Sequence, residues 1–141
     1  MQINNIGFLL TDIKRLMRRE YLKSKLPMTP MQARALVYVS RCEGIRQVAL
    51  AEMLEIQPIT LARLIDQLAL DNLVERRPDP KDRRAYGLYL MPEAAPSLKE
   101  IDIEIERVRK KALQGLTEEQ VEAAMEALTL MHTNLSTDSP L

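Results

Sequence analysis

The chain has 141 residues, of which 46% are hydrophobic and 28% are charged, the composition of a globular protein with one hydrophobic core. The chain has 20 basic residues (Lys and Arg) and 20 acidic residues (Asp and Glu), so its net charge is zero. This balance argues against a protein whose whole surface binds polyanions. No segment is apolar over the length that a bilayer requires, and the N-terminal charges follow the apolar residues, unlike those of a secretory signal. We therefore expect a cytoplasmic protein without a membrane partner.

Residues suited to catalysis or metal binding are scarce in this sequence. Cys42 is the only cysteine and His132 the only histidine, which leaves no disulfide, no set of zinc ligands and no paired nucleophile and base. The four glycines form no phosphate-binding loop. We predict a protein that is not an enzyme and has no metal ion or cofactor, in which Cys42 is a small buried residue and His132 is packed in a helix or at an interface.

Apolar periodicity predicts an amphipathic helix over about residues 3–25. A second helix is predicted to begin after Thr29, a good N-cap residue, with Pro30 in its first turn. It would reach about Cys42 and be closed by Gly44. The apolar stripe of the first helix is Ile3, Ile6, Leu10, Ile13 and Met17, and the inward positions of the second are Ala33, Leu36, Val37 and Ser40.

Two further helices are predicted at Gln47–Leu54 and from Pro58 to about Leu70, after a short Ile45–Arg46 link. Two helices joined by a short turn, with a small residue at their crossing, are typical of a helix-turn-helix. The second of them separates its apolar residues from its polar ones. The apolar face is Leu61, Leu64, Ile65 and Leu68, and the polar face is Thr60, Arg63 and Gln67.

A basic β-hairpin is predicted directly after these helices. Asn72 tolerates the left-handed conformation that ends a helix, a strand follows over residues 74–77, and the prolines within 78–82 require a turn. Residues 85–90 alternate and form the return strand, with Tyr86, Leu88 and Leu90 on one face. A helix-turn-helix followed by a hairpin is the order of a winged helix. The basic residues of this hairpin are Arg76, Arg77, Lys81, Arg83 and Arg84.

The C-terminal third is predicted to form two more helices. The first begins near Pro92 and ends before Gly115, and the second begins with a capping box of Thr117 and Gln120. Their apolar stripes are Leu98, Ile101, Ile105, Val108 and Ala112, and then Val121, Ala124 or Met125, Leu128, Met131 and Leu135.

The flanking helices predict a dimer. A winged-helix core occupies about residues 30–90, and the helices over about 1–27 and 92–137 carry apolar stripes with little domain left to cover them. A second copy of the chain is the simplest partner for these stripes. We predict a single domain over 1–141 that forms an obligate homodimer through both chain ends.

The stretch LAEMLEIQPITLARLIDQLALDNLVERRPDPKDRRAYGLYL resembles the winged-helix core of the MarR/SlyA family of bacterial transcription regulators. The most specific part is an Asp-Arg-Arg wing signature followed by a Leu-x-Leu strand. The resemblance implies a mainly α fold with a small β-hairpin wing (α+β), in which a winged helix-turn-helix core is flanked by N- and C-terminal dimerisation helices. The chain departs from the family's usual sequence at three positions. Met91 stands where the family usually has Thr, and Ala95 and Asn72 stand where it usually has Gly. These differences affect a turn and a helix cap.

The resemblance implies a sequence-specific transcription regulator, expected to act as a repressor, that binds a pseudo-palindromic operator in double-stranded DNA as a homodimer. The helix from Pro58 would enter the major groove, where Arg63 can read guanine and Gln67 adenine. An intrahelical pair of Arg63 with Asp66 or Gln67 is the alternative. Either arginine of the wing tip could enter the minor groove. The predicted DNA-binding residues are Pro58, Thr60, Arg63, Gln67, Arg76, Lys81, Asp82, Arg83 and Arg84.

The resemblance also implies regulation by a small aromatic or amphipathic effector. Such a ligand would lie between the dimer helices and the DNA-binding lobe, although the residues that could line this cleft also fit plain core positions. The alternative function is a winged-helix protein–protein interaction module without operator binding. The candidate effector-binding residues are Met17, Tyr21, Leu36 and Tyr38.

Overall fold

The computed structural model describes residues 4–137, which form a mainly helical fold with a small antiparallel sheet, as predicted. The described residues form two compact units that divide after Glu106. Ile3 of the first predicted stripe lies outside the described residues. The elements in chain order are α1 (Ile6–Tyr21), α2 (Pro30–Arg41), β1 (Ile45–Arg46), α3 (Gln47–Leu54), α4 (Pro58–Leu70), β2 (Val74–Asp79), β3 (Asp82–Leu90), α5 (Ala94–Ala112) and α6 (Glu118–Thr137).

The predicted helix boundaries hold where a cap fixes them. Thr29 and Gln32 form a capping box at the start of α2, and Thr117 and Gln120 form another before α6. Asn72 follows α4 with φ 59°, the left-handed conformation predicted for it.

The side of α2 that faces the core differs from the predicted one. Leu36 is fully buried as expected, but Ala35 and Val39 are the residues buried with it. The predicted Ala33, Val37 and Ser40 are only half-buried. The reason is that α2 packs against β3 as well as α3 and α4, which turns the Ala35 side of the helix inward.

The prediction that Cys42 is buried was wrong for a reason of backbone geometry. Cys42 is exposed, because α2 ends at Arg41 and Cys42 leaves the helical path with φ −133°. Tyr86 is 48% exposed whereas Leu88 is fully buried, because Tyr86 pairs with Pro78 in the outer part of the hairpin. His132 is exposed on α6, in the second unit.

The sheet has the order β1-β3-β2, with both pairs antiparallel. Ile45–Arg46, predicted to be a link, is the strand that pairs with Leu88 and Gly87. Gly87 is needed here, because a Cβ at this position would stand 3.1 Å from the carbonyl oxygen of Gly44. In this order, β2 lies at an edge of the sheet, with β3 on one side and no strand on the other.

The wing is longer than predicted. Pairing continues through Pro78 and Asp79, with a register shift between them, so the predicted turn over 78–82 contracts to Pro80 and Lys81. The strand continues through Pro78 because an edge strand accepts proline, since one side of that strand has no hydrogen-bonding neighbour.

The core of the first unit lies where α2, α3 and α4 meet β3. Apolar residues of α5 join it through Ala94 and Ile101. The predicted apolar face of α4 is confirmed for Leu61, Ile65 and Leu68, which are buried, while Leu64 is partly buried. The residues buried most completely in this unit are Leu36, Leu50, Leu61, Ile65, Leu68, Leu88 and Val39.

The apolar stripe of α1 remains exposed within one chain. No residue of this helix is buried, and Ile6, Leu10 and Ile13 of the stripe expose 63%, 36% and 41% of their surface. In the second unit, α6 likewise exposes Met125, Leu130 and Leu135. Across residues 4–137, no helix has both the length and the apolar character to cross a membrane.

Candidate nucleic-acid interface

The outer face of α4 carries polar side chains because its inner face is anchored in the core. Thr60, Arg63 and Gln67 are exposed, opposite the buried leucines and isoleucine of the same helix. Pro58 occupies the first turn, where a missing N–H costs no hydrogen bond. This helix therefore presents its predicted recognition residues to solvent.

Arg63 has no hydrogen-bond or ion-pair partner in the part of the chain that the structure describes. The alternative predicted for it, an intrahelical pair, does not form, and Asp66 is paired with Arg76 at 2.7 Å. Gln67 instead makes long contacts to the carboxylate of Asp71, at 3.3 and 3.4 Å. The Arg63 guanidinium is thus available to an external acceptor.

Ile59 is an apolar residue at the start of α4 that sequence reasoning missed as a site residue. It is 64% exposed and lies next to Thr60 on the solvent side of the first turn. The sequence indicates its exposure in one way: Ile59 is apolar but does not belong to the apolar stripe of α4. An exposed aliphatic side chain at this end of a recognition helix can contact a thymine methyl group.

Two aspartates shape the wing tip through backbone hydrogen bonds. Asp79 Oδ1 accepts the Lys81 N–H at 2.8 Å, and Asp82 Oδ1 accepts the Arg84 N–H at 3.0 Å. Asp82 therefore fixes the backbone beside the arginines. Lys81, Arg83 and Arg84 are all exposed around this turn.

Arg46 ties the wing to the start of α3 through a contact between residues 33 positions apart in the sequence. Its guanidinium donates from Nε and Nη2 to Asp79 Oδ2, at 3.1 and 2.9 Å. The hydrogen bond from the Lys81 N–H and then the Arg46 guanidinium hold the pKa of Asp79 below its ordinary value. Asp79 is therefore ionised at neutral pH, where it can stabilise both the turn and the link to Arg46.

Arg76 connects three elements, although it was predicted as a DNA contact. Its Nε donates to Gln47 Oε1 at 2.9 Å, its Nη2 donates to the carbonyl oxygen of Ala62 at 3.0 Å, and its Nη1 lies 2.7 Å from Asp66 Oδ1. The side chain is 27% exposed. Every guanidinium nitrogen of Arg76 thus has a partner inside the protein.

Arg77 differs from Arg76, its neighbour on the same strand. Its guanidinium carbon lies 4.2 Å from the centroid of the Tyr89 ring, and its Nη2 is 3.3 Å from Glu75 Oε2. Both partners belong to the hairpin itself. Adjacent arginines thus leave opposite faces of β2 and have different surroundings.

A groove runs between the start of α3 and the return strand of the wing. Arg46 and Arg84 lie in it together with exposed Tyr86 and Val48, which is 63% exposed. Arg84 thus faces the side of the hairpin nearer α3, and Arg83, one residue before it, leaves the opposite face. The lining residues are Arg46, Gln47, Val48, Ala49, Glu52, Arg84, Ala85 and Tyr86.

The four predicted effector residues differ in their access to solvent. Leu36 is fully buried in the core, which removes it from the surface of any cleft in this conformation. Met17, Tyr21 and Tyr38 are half-buried, and the Tyr38 ring lies 5.7 Å from the guanidinium of Arg34. Among residues 4–137, no three His, Cys, Asp or Glu side chains are grouped as metal ligands.

Comparisons with known proteins agree with this geometry. The model of the MarR family matches residues 28–86. A crystal structure of MarR is 24% identical with a TM-score of 0.88, over 97% of this chain and 95% of that chain. The transcriptional regulator SlyA is 26% identical with a TM-score of 0.79, over 96% of each chain. A mutant MarR from E. coli complexed with operator DNA is 22% identical with a TM-score of 0.75, over 89% and 92%.

The helix-turn-helix, the three-stranded sheet and the basic hairpin make this chain a winged-helix protein. The resemblance to the MarR/SlyA family that the sequence indicates is confirmed, and the chain has the fold of the transcriptional regulators of that family.

Proposed function

We propose that the protein is a sequence-specific DNA-binding regulator of transcription that acts in the cytoplasm. The observation that carries this proposal is the partner-free Arg63 on the exposed face of α4, in the same unit as a wing tip with three exposed basic residues. Arginine pairs with two acceptors of guanine in the major groove, and basic tips suit the narrow minor groove. The structural match to a MarR that is complexed with operator DNA supports DNA binding by this chain.

The proposed active form is a homodimer. The apolar stripe of α1 is exposed in one chain, and a water-exposed stripe of this length is unusual unless a partner covers it. Two copies related by a two-fold axis would present two α4 helices to half-sites about 34–36 Å apart, one turn of DNA. The operator would then be pseudo-palindromic.

Each wing is proposed to reach the minor groove next to its half-site. Asp79 and Asp82 hold the backbone of the tip, which lowers the entropy that its arginines lose on binding. Arg83 and Arg84 leave opposite faces of the strand, so one can enter the groove while the other faces a phosphate. Lys81 and Thr60 are proposed as further phosphate contacts.

A small aromatic or amphipathic effector is proposed to modulate this binding. Met17, Tyr21 and Tyr38 are partly accessible, whereas Leu36 is buried in the core. A ligand with differential affinity for two dimer conformations would change the distance between the α4 helices and so weaken operator binding. A rise in melting temperature with a candidate aromatic acid, together with release of DNA, would support this part of the proposal.

Selection from genomic fragments with the purified protein tests the main proposal. We expect one enriched motif with two-fold symmetry, and we expect the logarithm of its affinity to fall linearly with the logarithm of salt concentration, with a slope of about −0.9 per phosphate contact. Recovery of no motif, or binding that ignores salt, would contradict the proposal.

The alternative is a protein-interaction module, and the groove beside the wing is the observation in its favour. Val48 and Tyr86 expose apolar surface there, as protein-binding surfaces do. A protein interface of this kind would show weak dependence on salt, so the salt titration distinguishes the two functions.

A further inference from the structure

Arg76 has the surroundings of a structural crosslink, in contrast to the other basic residues of the hairpin. It lies two residues after buried Val74, so its side chain leaves β2 on the face that covers the helices. Its partners are Gln47, in the first turn of α3, and Ala62 and Asp66, on α4. The strand of the wing is thereby bonded to both helices of the helix-turn-helix.

We propose that Arg76 is a positioning residue that fixes the rotation of α4 relative to the wing, and that it does not contact DNA. This inference rests on the proposed DNA-binding function. Three of the five N–H donors of the Arg76 guanidinium, one on each nitrogen, are directed to these partners at 2.7 to 3.0 Å, and the side chain is only 27% exposed. A guanidinium that turned away from α3 and α4 toward a phosphate would break at least one of these bonds.

The partners on α4 determine what the contact controls. Ala62 and Asp66 are four residues apart, so they lie in one row along the helix. Arg63 directly follows Ala62, and therefore any rotation of the helix about its axis that moves this row also moves the Arg63 guanidinium. A base contact depends on the direction of its donors, so a small rotation is enough to lose it.

Asp66 has a second effect that a test can use. Its carboxylate is 65% exposed on α4, and near a DNA backbone an unpaired negative charge would oppose binding. Removal of this charge by itself should therefore strengthen binding. If the carboxylate positions α4 through Arg76, its removal weakens binding, so the two roles predict changes of opposite sign.

The first test is Arg76→Lys, with Arg77→Lys as the matched control. Lysine keeps the positive charge that a phosphate contact needs, but one ammonium group cannot reach three acceptors in three directions. We expect Arg76→Lys to lower operator affinity at least about tenfold, the size of one lost charge-assisted contact. Arg77→Lys should stay within about twofold, since its partners lie in the hairpin. An Arg76→Lys protein that binds like the wild type would overturn the inference.

The second test is Asp66→Ala, which suits a helix and leaves the core intact. We expect affinity to fall by about threefold or more, and the Nε–H resonance of Arg76 in the DNA-free protein to lose its protection from exchange. Tighter operator binding by Asp66→Ala would overturn the inference, as would an Arg76 Nε–H resonance that exchanges rapidly in the wild type.

These measurements separate the inference from the function on which it rests. A wild-type protein without salt-dependent binding to any duplex would refute the proposed function, while the Nε–H resonance would still report whether the crosslink exists. Wild-type binding that survives Arg76→Lys would refute the positioning role alone. Melting temperatures measured by circular dichroism show whether a variant is folded, and the exposed Asp66 site keeps the test valid if Arg76→Lys unfolds the chain.

Discussion

At the scale of single residues, the arginines of the DNA-binding lobe divide into two groups that charge alone does not distinguish. Arg46 and Arg76 donate to acceptors on other elements and hold the lobe together. The side chains of Arg63, Arg83 and Arg84 face solvent without a partner among the described residues. A free guanidinium keeps its donors for an external acceptor, so the second group is the better candidate for contact with DNA.

For Arg63 we expect Arg63→Ala to reduce operator affinity by about 1–3 kcal/mol and to relax base preference at one position of each half-site. The melting temperature should not change, because the side chain has no partner inside the described structure. Titrated fluorescence anisotropy with the selected operator measures the first effect and thermal denaturation the second. Arg15→Ala, on the exposed side of α1, serves as a control of equal charge change. Loss of affinity for all sequences alike would indicate a phosphate contact instead.

For Asp79 we expect a carboxyl pKa below 3.8 in the folded protein. A lowered pKa means that the contribution of this carboxylate to the wing is complete above the pKa of the unfolded chain and is lost as the pH falls through the folded value. Operator binding near neutral pH should therefore be insensitive to this group. Carbon-detected NMR titration measures the pKa directly.

Arg46→Ala should raise the pKa of Asp79 above its value in the wild-type protein. The pKa should stay below that of a free aspartate, because the Lys81 N–H still donates to the carboxylate. Arg77→Ala should leave it unchanged, since Arg77 pairs with Glu75. A pKa of Asp79 that ignores Arg46→Ala would show that the ion pair is absent in solution.

At the scale of elements, periodicity and caps predicted most of the fold. The apolar stripes of the helices and the capping residues Thr29 and Thr117 act over a few neighbouring residues, which a sequence displays directly. Strand β1 was missed because two residues, Ile45 and Arg46, carry no periodicity and are held in place by pairing with β3. The exposed polar face of α4 was predictable for the same local reason as its buried face.

The contacts that organise the candidate site could not be predicted in this way. Arg46 and Asp79 are 33 positions apart, and Arg76 and Gln47 are 29 apart. Such pairs depend on strand register and on the angle at which α3 and α4 cross, both of which tertiary packing decides. The sequence therefore identifies the basic residues of the hairpin by type, but only the three-dimensional structure distinguishes those with partners inside the protein from those that are free.

The wing makes a prediction of its own. Arg83 and Arg84 leave opposite faces of β3, so we expect Arg83→Ala and Arg84→Ala to weaken operator binding unequally. The variant that loses the minor-groove contact should lose at least about tenfold and respond to the width of the groove, which A-tracts narrow. The other variant should mainly reduce the dependence of affinity on salt concentration, by the amount that about one phosphate contact contributes. Equal losses with equal salt slopes would contradict this model of the wing.

At the scale of the whole molecule, the exposed apolar stripe of α1 predicts association. We expect Ile13→Glu to shift the protein toward monomer in sedimentation equilibrium at low micromolar concentration, because burial of an unpaired carboxylate opposes the dimer. Lys14→Glu, on the neighbouring exposed position, changes the charge more and should leave the dimer intact. A wild-type protein that is a folded monomer under these conditions would refute the dimer.

Pro78 and the register shift beside it affect how wings behave in the absence of DNA. A sheet edge with free N–H and C=O groups invites pairing with another edge strand, which leads to aggregation. On β2, Pro78 removes one donor, the irregularity after it interrupts the ladder, and Arg77 places a charge on the same edge strand. The edge strands of two wings that meet in solution are thus poorly suited to pair with each other. We expect that replacement of Pro78 by a β-branched residue makes the protein prone to fibrous self-association.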